Sequence, residues 1–187
     1  MIAILLNDAS FEQDIRELLM AFYPGETFTH KEEEAGEAEL IVRGVRDGNS
    51  FSLDVTPVKK EVVHFALIYP DFSNRFETKN EIKQTLYRLL SAQTGRELPW
   101  GTLTGIRPTK IALTKLYDGW TDEQIETYMR ETYFTSKEKI DLSIDVAERE
   151  RRLLSTIDYE NGYSLYVGIP FCPTTCLYCS FTSFPIV

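Results

Sequence analysis

The sequence predicts an α+β protein: a small N-terminal antiparallel sheet with two helices, then a helical region, then a new strand leading into a cysteine loop. Three observations predict it. Apolar residues recur at helical spacing in two stretches of residues 1–95. Between those stretches, three runs alternate apolar and polar residues with the period of a half-buried strand. Beyond residue 95 the alternation gives way to three successive helical patterns.

Met1 to Asn7 reads as a short buried strand. Ser10 to Gln13 has the form of a capping box, and Phe11, Ile15, Leu18, Leu19 and Phe22 make one helical face. Pro24 and Gly25 end that helix. Lys31 to Glu39 is a charge-rich connection, and Glu32 to Glu34 reads as a solvated loop. Leu40 to Val45 is the next strand, closed by the turn Asp47-Gly48-Asn49. Phe51, Leu53 and Val55 alternate with polar residues in the second run, and Val63, Phe65, Leu67 and Tyr69 form the apolar phase of the third. His64 falls on the opposite face and reads as a surface or edge histidine. A long helix is expected from about Asn74 to Thr94, with Gly95 as its C-cap. An antiparallel three-stranded meander with one further N-terminal strand, covered by two helices, is the economical arrangement.

The helical region spans 96–157. An irregular stretch from Leu98 leads into a helix ending near Tyr117. Thr121 to Gln124 supplies an N-cap and early acids for a second helix, and a third begins at Ser136. Trp100 and Trp120 read as packing anchors. Asn161-Gly162 is a turn, and Ser164 to Ile169 is expected to be a strand.

Hydrophobic residues make up 43% of the 187 and charged residues 26%, which allows a sizeable core. The net charge of −9 argues against nucleic acid or an anionic membrane surface as a general partner. The apolar start lacks a basic leader, and no apolar run approaches membrane-spanning length, so a cytoplasmic location is expected.

The three cysteines, Cys172, Cys176 and Cys179, fall within eight residues. A disulfide framework would spread them; clustering under reducing conditions points to metal. Their C-x3-C-x2-C spacing offers three thiolates to three corners of an iron–sulfur cube and leaves one iron without a protein ligand. A structural zinc site would use four ligands and paired C-x2-C knuckles, yet His30 and His64 lie far upstream. Coincidental buried cysteines are the remaining alternative.

Tyr166 to Cys179, YVGIPFCPTTCLYC, resembles the cluster motif of the radical S-adenosylmethionine superfamily, and within it the oxygen-independent coproporphyrinogen III oxidase-like branch. The stretch from Trp100 to Lys110, WGTLTGIRPTK, narrows the resemblance to the HemZ-like members of that branch. The resemblance implies that Cys172, Cys176 and Cys179 hold a [4Fe–4S] cluster. It implies that Tyr178 lies beside the adenine of S-adenosylmethionine and that Tyr166 opens the strand motif. Gly168 stands where the better-known enzymes have histidine, and Phe181 where they have a further cysteine. The implied activity is oxidative decarboxylation of porphyrinogen propionates in haem biosynthesis, with a tetrapyrrole substrate and a reductant such as flavodoxin or ferredoxin. Residues 162–187 then correspond to the first strand and cluster loop of a (β/α)6 partial barrel. The rest of that barrel is not in the sequence, so the chain is expected to be an inactive N-terminal fragment, with strand 164–169 poorly packed.

Arg107 and Lys110 flank Pro108 at a helix start, where two cations could grip a carboxylate; an ordinary solvated helix start is the competing reading. A haem- or tetrapyrrole-binding carrier, or a partner-binding module using the same cluster motif, is the alternative to an oxidoreductase.

Overall fold

The chain opens on β1 (Ile2–Leu6), an apolar run whose first four residues are buried. In this computed structural model, residues 1–58, 63–105, 107–158, 161–174, 176–177, 179–182 and 184–185 are described. Asp8 caps a 3-10 turn over Ala9–Phe11, its carboxylate accepting from the Ser10 N–H at 2.9 Å. The helix α1 (Glu12–Phe22) follows directly. The expected capping box from Ser10 to Gln13 does not form. Asp8 takes the capping role first, Ser10 is drawn into the tight turn, and the Gln13 amide turns outward to Glu17 at 3.0 Å.

After β2 (Phe28–Thr29), the segment read as a solvated acidic loop is a 3-10 helix, Glu32–Glu37. Its acids have local partners: Glu32 accepts from the Arg43 guanidinium and Glu34 from Lys31 and Thr29. Ala35 and Ala38 pack with Ala3 and Leu5 of β1, so this helix covers part of the outer sheet face.

Three longer strands complete the sheet: β3 (Leu40–Asp47), β4 (Ser50–Pro57) and β5 (His64–Ile68). The order is β2-β1-β3-β4-β5. The meander β3-β4-β5 is antiparallel as predicted, but β1 runs parallel to both β2 and β3, so the sheet is mixed rather than antiparallel. The reason is chain direction. The helix α1 returns the chain to the start of β1 before β2 begins, and the 3-10 helix does so again before β3.

The third strand is inverted relative to its sequence reading. Val55 pairs with His64, Leu53 with Ala66 and Phe51 with Ile68. Residues paired across a ladder share a face, so His64, Ala66 and Ile68 join the side of the fully buried Phe51, Leu53 and Val55. Phe65, opposite Asp54, and Leu67, opposite Ser52, face outward, and Phe65 is 62% exposed. His64 still lies on an edge strand, but half-buried, with Nε2 3.1 Å from Gln93 Oε1.

The helix α2 (Arg75–Thr94) forms where predicted. The Asn74 side chain accepts from the Phe76 and Glu77 N–H groups, and Gly95 closes the helix at φ 67°. Ile15, Leu18 and Phe22 of α1 and Ile82, Leu86 and Leu90 of α2 share one core with the inner sheet face.

The helices α3 (Thr109–Tyr117), α4 (Asp122–Tyr133) and α5 (Lys137–Leu154) follow; Thr121 is the N-cap read from sequence, and with Gln124 it forms a full capping box. Leu113, Leu116, Ile125, Met129, Ile140 and Ile144 make their core, with Trp120 against Tyr128 at 5.6 Å. The connecting stretch is sewn in place. Leu98 N–H donates to the Tyr87 hydroxyl, Thr102 N–H to the Tyr133 carbonyl, and Ser136 N–H to the Pro99 carbonyl. The chain divides into two compact units, residues 1–151 and 152–187.

Candidate metal centre

In the second unit a short ladder holds the start of the cysteine loop. Strands β6 (Phe171–Cys172) and β7 (Phe184–Pro185) pair in parallel, Phe171 with Phe184 and Cys172 with Pro185. The Phe184 N–H donates to the Pro170 carbonyl at 2.7 Å, and the rings of Phe171 and Phe184 lie 6.2 Å apart. Cys172 is therefore placed by backbone pairing. The strand expected over 164–169 is not formed: those residues enter no ladder. An extended segment becomes a strand only where a neighbour takes its N–H and C=O groups. Its apolar side chains are correspondingly exposed, Tyr166 by 77% and Ile169 by the same fraction.

All three thiols are free of disulfides; Cys172 and Cys179 are half-buried and Cys176 is exposed. The Cys179 N–H donates to the Cys176 carbonyl at 3.0 Å, so the C-x2-C half of the motif forms a closed turn. Cys172 and Cys179 line one cavity of about 380 Å³, together with Tyr166, Gly168, Pro170 and Phe181. Two of the three predicted ligands thus open onto a common space, while Cys176 does not line it. Among the described residues, no three Cys, His, Asp or Glu side chains converge in a group able to hold a metal. The donor set nevertheless fits an iron–sulfur cluster in kind: three soft thiolates and no fourth protein donor on the loop.

Tyr166 lines the cavity, and its ring stacks on Phe181 with centroids 6.5 Å apart and planes 22° from parallel. A Cβ at Gly168 would lie 3.2 Å from the Tyr166 ring, closer than most real contacts. The two departures from the better-known motif, Gly168 and Phe181, therefore act on the same ring: one makes room for it and the other supports it. Spacing alone gave no signal of that pairing. Tyr178, the residue expected beside the adenine, lies outside the described residues.

Arg107 and Lys110 belong to the first unit. The Arg107 guanidinium is paired with the Glu150 carboxylate of α5, and both cations are exposed. Local turn bonds from Lys110 N–H to the Arg107 carbonyl and from Ile111 N–H to the Pro108 carbonyl begin α3. An anion there would compete with Glu150 for Arg107. Among the described residues, no helix is long and apolar enough to cross a membrane.

Comparison with known proteins gives one relationship. The chain is related to the oxygen-independent coproporphyrinogen-III oxidase-like protein HemZ of Bacillus subtilis, at 36% identity over 135 residues. The matched region covers 70% of this chain and 26% of that protein, so the chain spans about a quarter of its relative's length. No family model matches the sequence. No solved structure matches it.

Proposed function

We propose that this chain, a relative of HemZ, carries the cluster-binding segment of a radical S-adenosylmethionine oxidoreductase of the coproporphyrinogen oxidase-like kind. The observation that carries the reading is the set of three free thiols at C-x3-C-x2-C spacing, two of them opening onto one cavity beside Tyr166. The relationship to HemZ supports it. Cys172, Cys176 and Cys179 would hold three irons of a [4Fe–4S] cluster, leaving the fourth for S-adenosylmethionine. When bound, the cluster supplies one electron for reductive cleavage of S-adenosylmethionine to methionine and a 5′-deoxyadenosyl radical.

The chain's own contribution is placement. The β6–β7 ladder fixes the backbone at Cys172, and the Cys176–Cys179 turn sets the spacing of the other two thiols. The Tyr166–Phe181 stack walls one side of the cavity beside Cys172 and Cys179 with aromatic surface. In the whole protein the substrate class is a porphyrinogen, whose propionate side chain is oxidatively decarboxylated, and a low-potential reductant such as flavodoxin or ferredoxin feeds the cluster.

Anaerobic reconstitution with iron and sulfide tests the proposal. Thiolate-to-iron absorbance in the visible range, lost in Cys172→Ala, Cys176→Ala and Cys179→Ala, is the expected result. Stoichiometric zinc with no iron uptake would replace the proposal with a structural zinc domain.

A further inference from the structure

A separate cavity of about 260 Å³ lies within residues 1–151, between α1, α2 and the Thr102–Gly105 segment. Asp14 and Glu17 line it from α1, and Lys79, Asn80 and Lys83 from α2. The polar groups here are deeply placed. Asn80 is only 8% exposed and Lys83 only 7%. The Asn80 side chain lines the cavity and enters no hydrogen bond among the described residues, although its amide carries two donor hydrogens and an acceptor oxygen. The Lys83 ammonium gives one of its three hydrogens to Thr104 Oγ1 at 2.8 Å, and the Thr104 hydroxyl in turn donates to Glu17 Oε2 at 2.8 Å. That clasp fastens the Thr102–Gly105 segment to both helices. It leaves the Asn80 amide and the rest of the ammonium unused.

Buried polar groups are ordinarily satisfied, so unused ones lining a cavity point to a polar occupant. The charges narrow its class. Two carboxylates, Asp14 and Glu17, balance two ammoniums, Lys79 and Lys83, around one small space. A simple anion there meets two like charges, and so does a simple cation. A molecule bearing both charges on neighbouring atoms satisfies both halves at once. We propose that this cavity binds a small zwitterionic α-amino acid, with its carboxylate toward Lys83 and Asn80 and its ammonium toward Asp14 and Glu17. The competing occupant is ordered water, which would bond to Asn80 and the remaining Lys83 hydrogens but would not be displaced selectively by a zwitterion.

The test is a titration of the 15N-labelled chain with glycine, L-alanine and L-serine, each compared with acetate and methylamine at matched ionic strength. Saturable shifts are expected for backbone amides of residues 79–84 and 102–105 with at least one amino acid. Acetate and methylamine should act at least tenfold more weakly, and Asn80→Leu, which keeps the volume, should weaken amino-acid binding at least tenfold. Amides elsewhere in the chain report whether that variant is folded, and Asn80→Ala repeats the comparison if it is not. No saturable shift with any amino acid overturns the proposal, as does acetate matching the amino acids or Asn80→Leu binding unchanged.

Discussion

Lys83 shows how one side chain can tie three segments together at a cost to the folded state. It is buried on α2, reaches Thr104, and through that hydroxyl reaches Glu17 of α1. Burial pushes its pKa below the ordinary lysine value of 10.5; Asp14 and Glu17 of α1 pull it back up, and Lys79 pushes it further down. Tyr133 of α4 also lines the cavity, and burial together with Tyr128 holds its phenol protonated well above the usual range. The sign follows. Just below pH 10.5 the unfolded chain keeps the lysine proton while the folded chain has begun to release it, so this group's contribution to stability rises with pH through that window. Denaturant unfolding of the native chain and Lys83→Met between about pH 8 and 11 should show the native chain gaining relative to the variant as pH increases. A flat or falling difference would mean that Lys83 is not desolvated. None of this was legible in the sequence, where Lys83 is one of many helix lysines; its depth depends on Thr102–Gly105 folding over it. The cysteine spacing is visible in the sequence itself, because three thiols fall within eight residues. The support of Tyr166 by Phe181 is not, because stacking is a property of placement.

At the level of elements, β5 is the instructive strand. A period of two announces a strand but does not say which phase faces inward when both phases contain apolar residues. Here Phe65 and Leu67 compete with Ala66 and Ile68, and the ladder with β4 decides for the second set. Phe65→Ser should therefore change stability by less than about 0.5 kcal/mol. Leu53→Ala, on the inner face of the neighbouring strand, should cost about 2–5 kcal/mol. Chemical denaturation of the two variants checks the phase; a Phe65→Ser loss as large as the Leu53→Ala loss contradicts it. The connection between α2 and α3 makes a second element-level claim. Gly101 sits at φ 58°, and a Cβ there would overlap the Tyr133 carbonyl oxygen, the same oxygen that accepts from the Thr102 N–H. Gly101→Ala should destabilise the chain by about 1–3 kcal/mol, read as a lowered melting temperature. The caps at Gly95 and Thr121 were legible because capping is local. The Ser10 box was not, because Asp8 two residues earlier supplied a better oxygen for the first turn.

For the whole molecule, the α+β class and the antiparallel meander could be read from periodicity, while the parallel placement of β1 could not. That placement depends on two returns of the chain, through α1 and through a 3-10 helix that looks in sequence like an acidic loop. The separation into units 1–151 and 152–187 makes a direct prediction. A chain shortened to residues 1–157 should keep its melting temperature within about 2 °C and unfold in one cooperative transition. Loss of that transition in circular dichroism would mean that the C-terminal unit is needed to complete the first core. The second unit gives the chain its proposed chemistry, and its 164–169 segment is exposed and enters no ladder. Whether those three thiols form a cluster site is the central question, and the Mössbauer spectrum of the chain reconstituted anaerobically with 57Fe answers it most directly. The account predicts a tetranuclear iron–sulfur spectrum whose intensity collapses when any one of Cys172, Cys176 or Cys179 is replaced by alanine. Mononuclear iron, or a spectrum unchanged by those replacements, would contradict it.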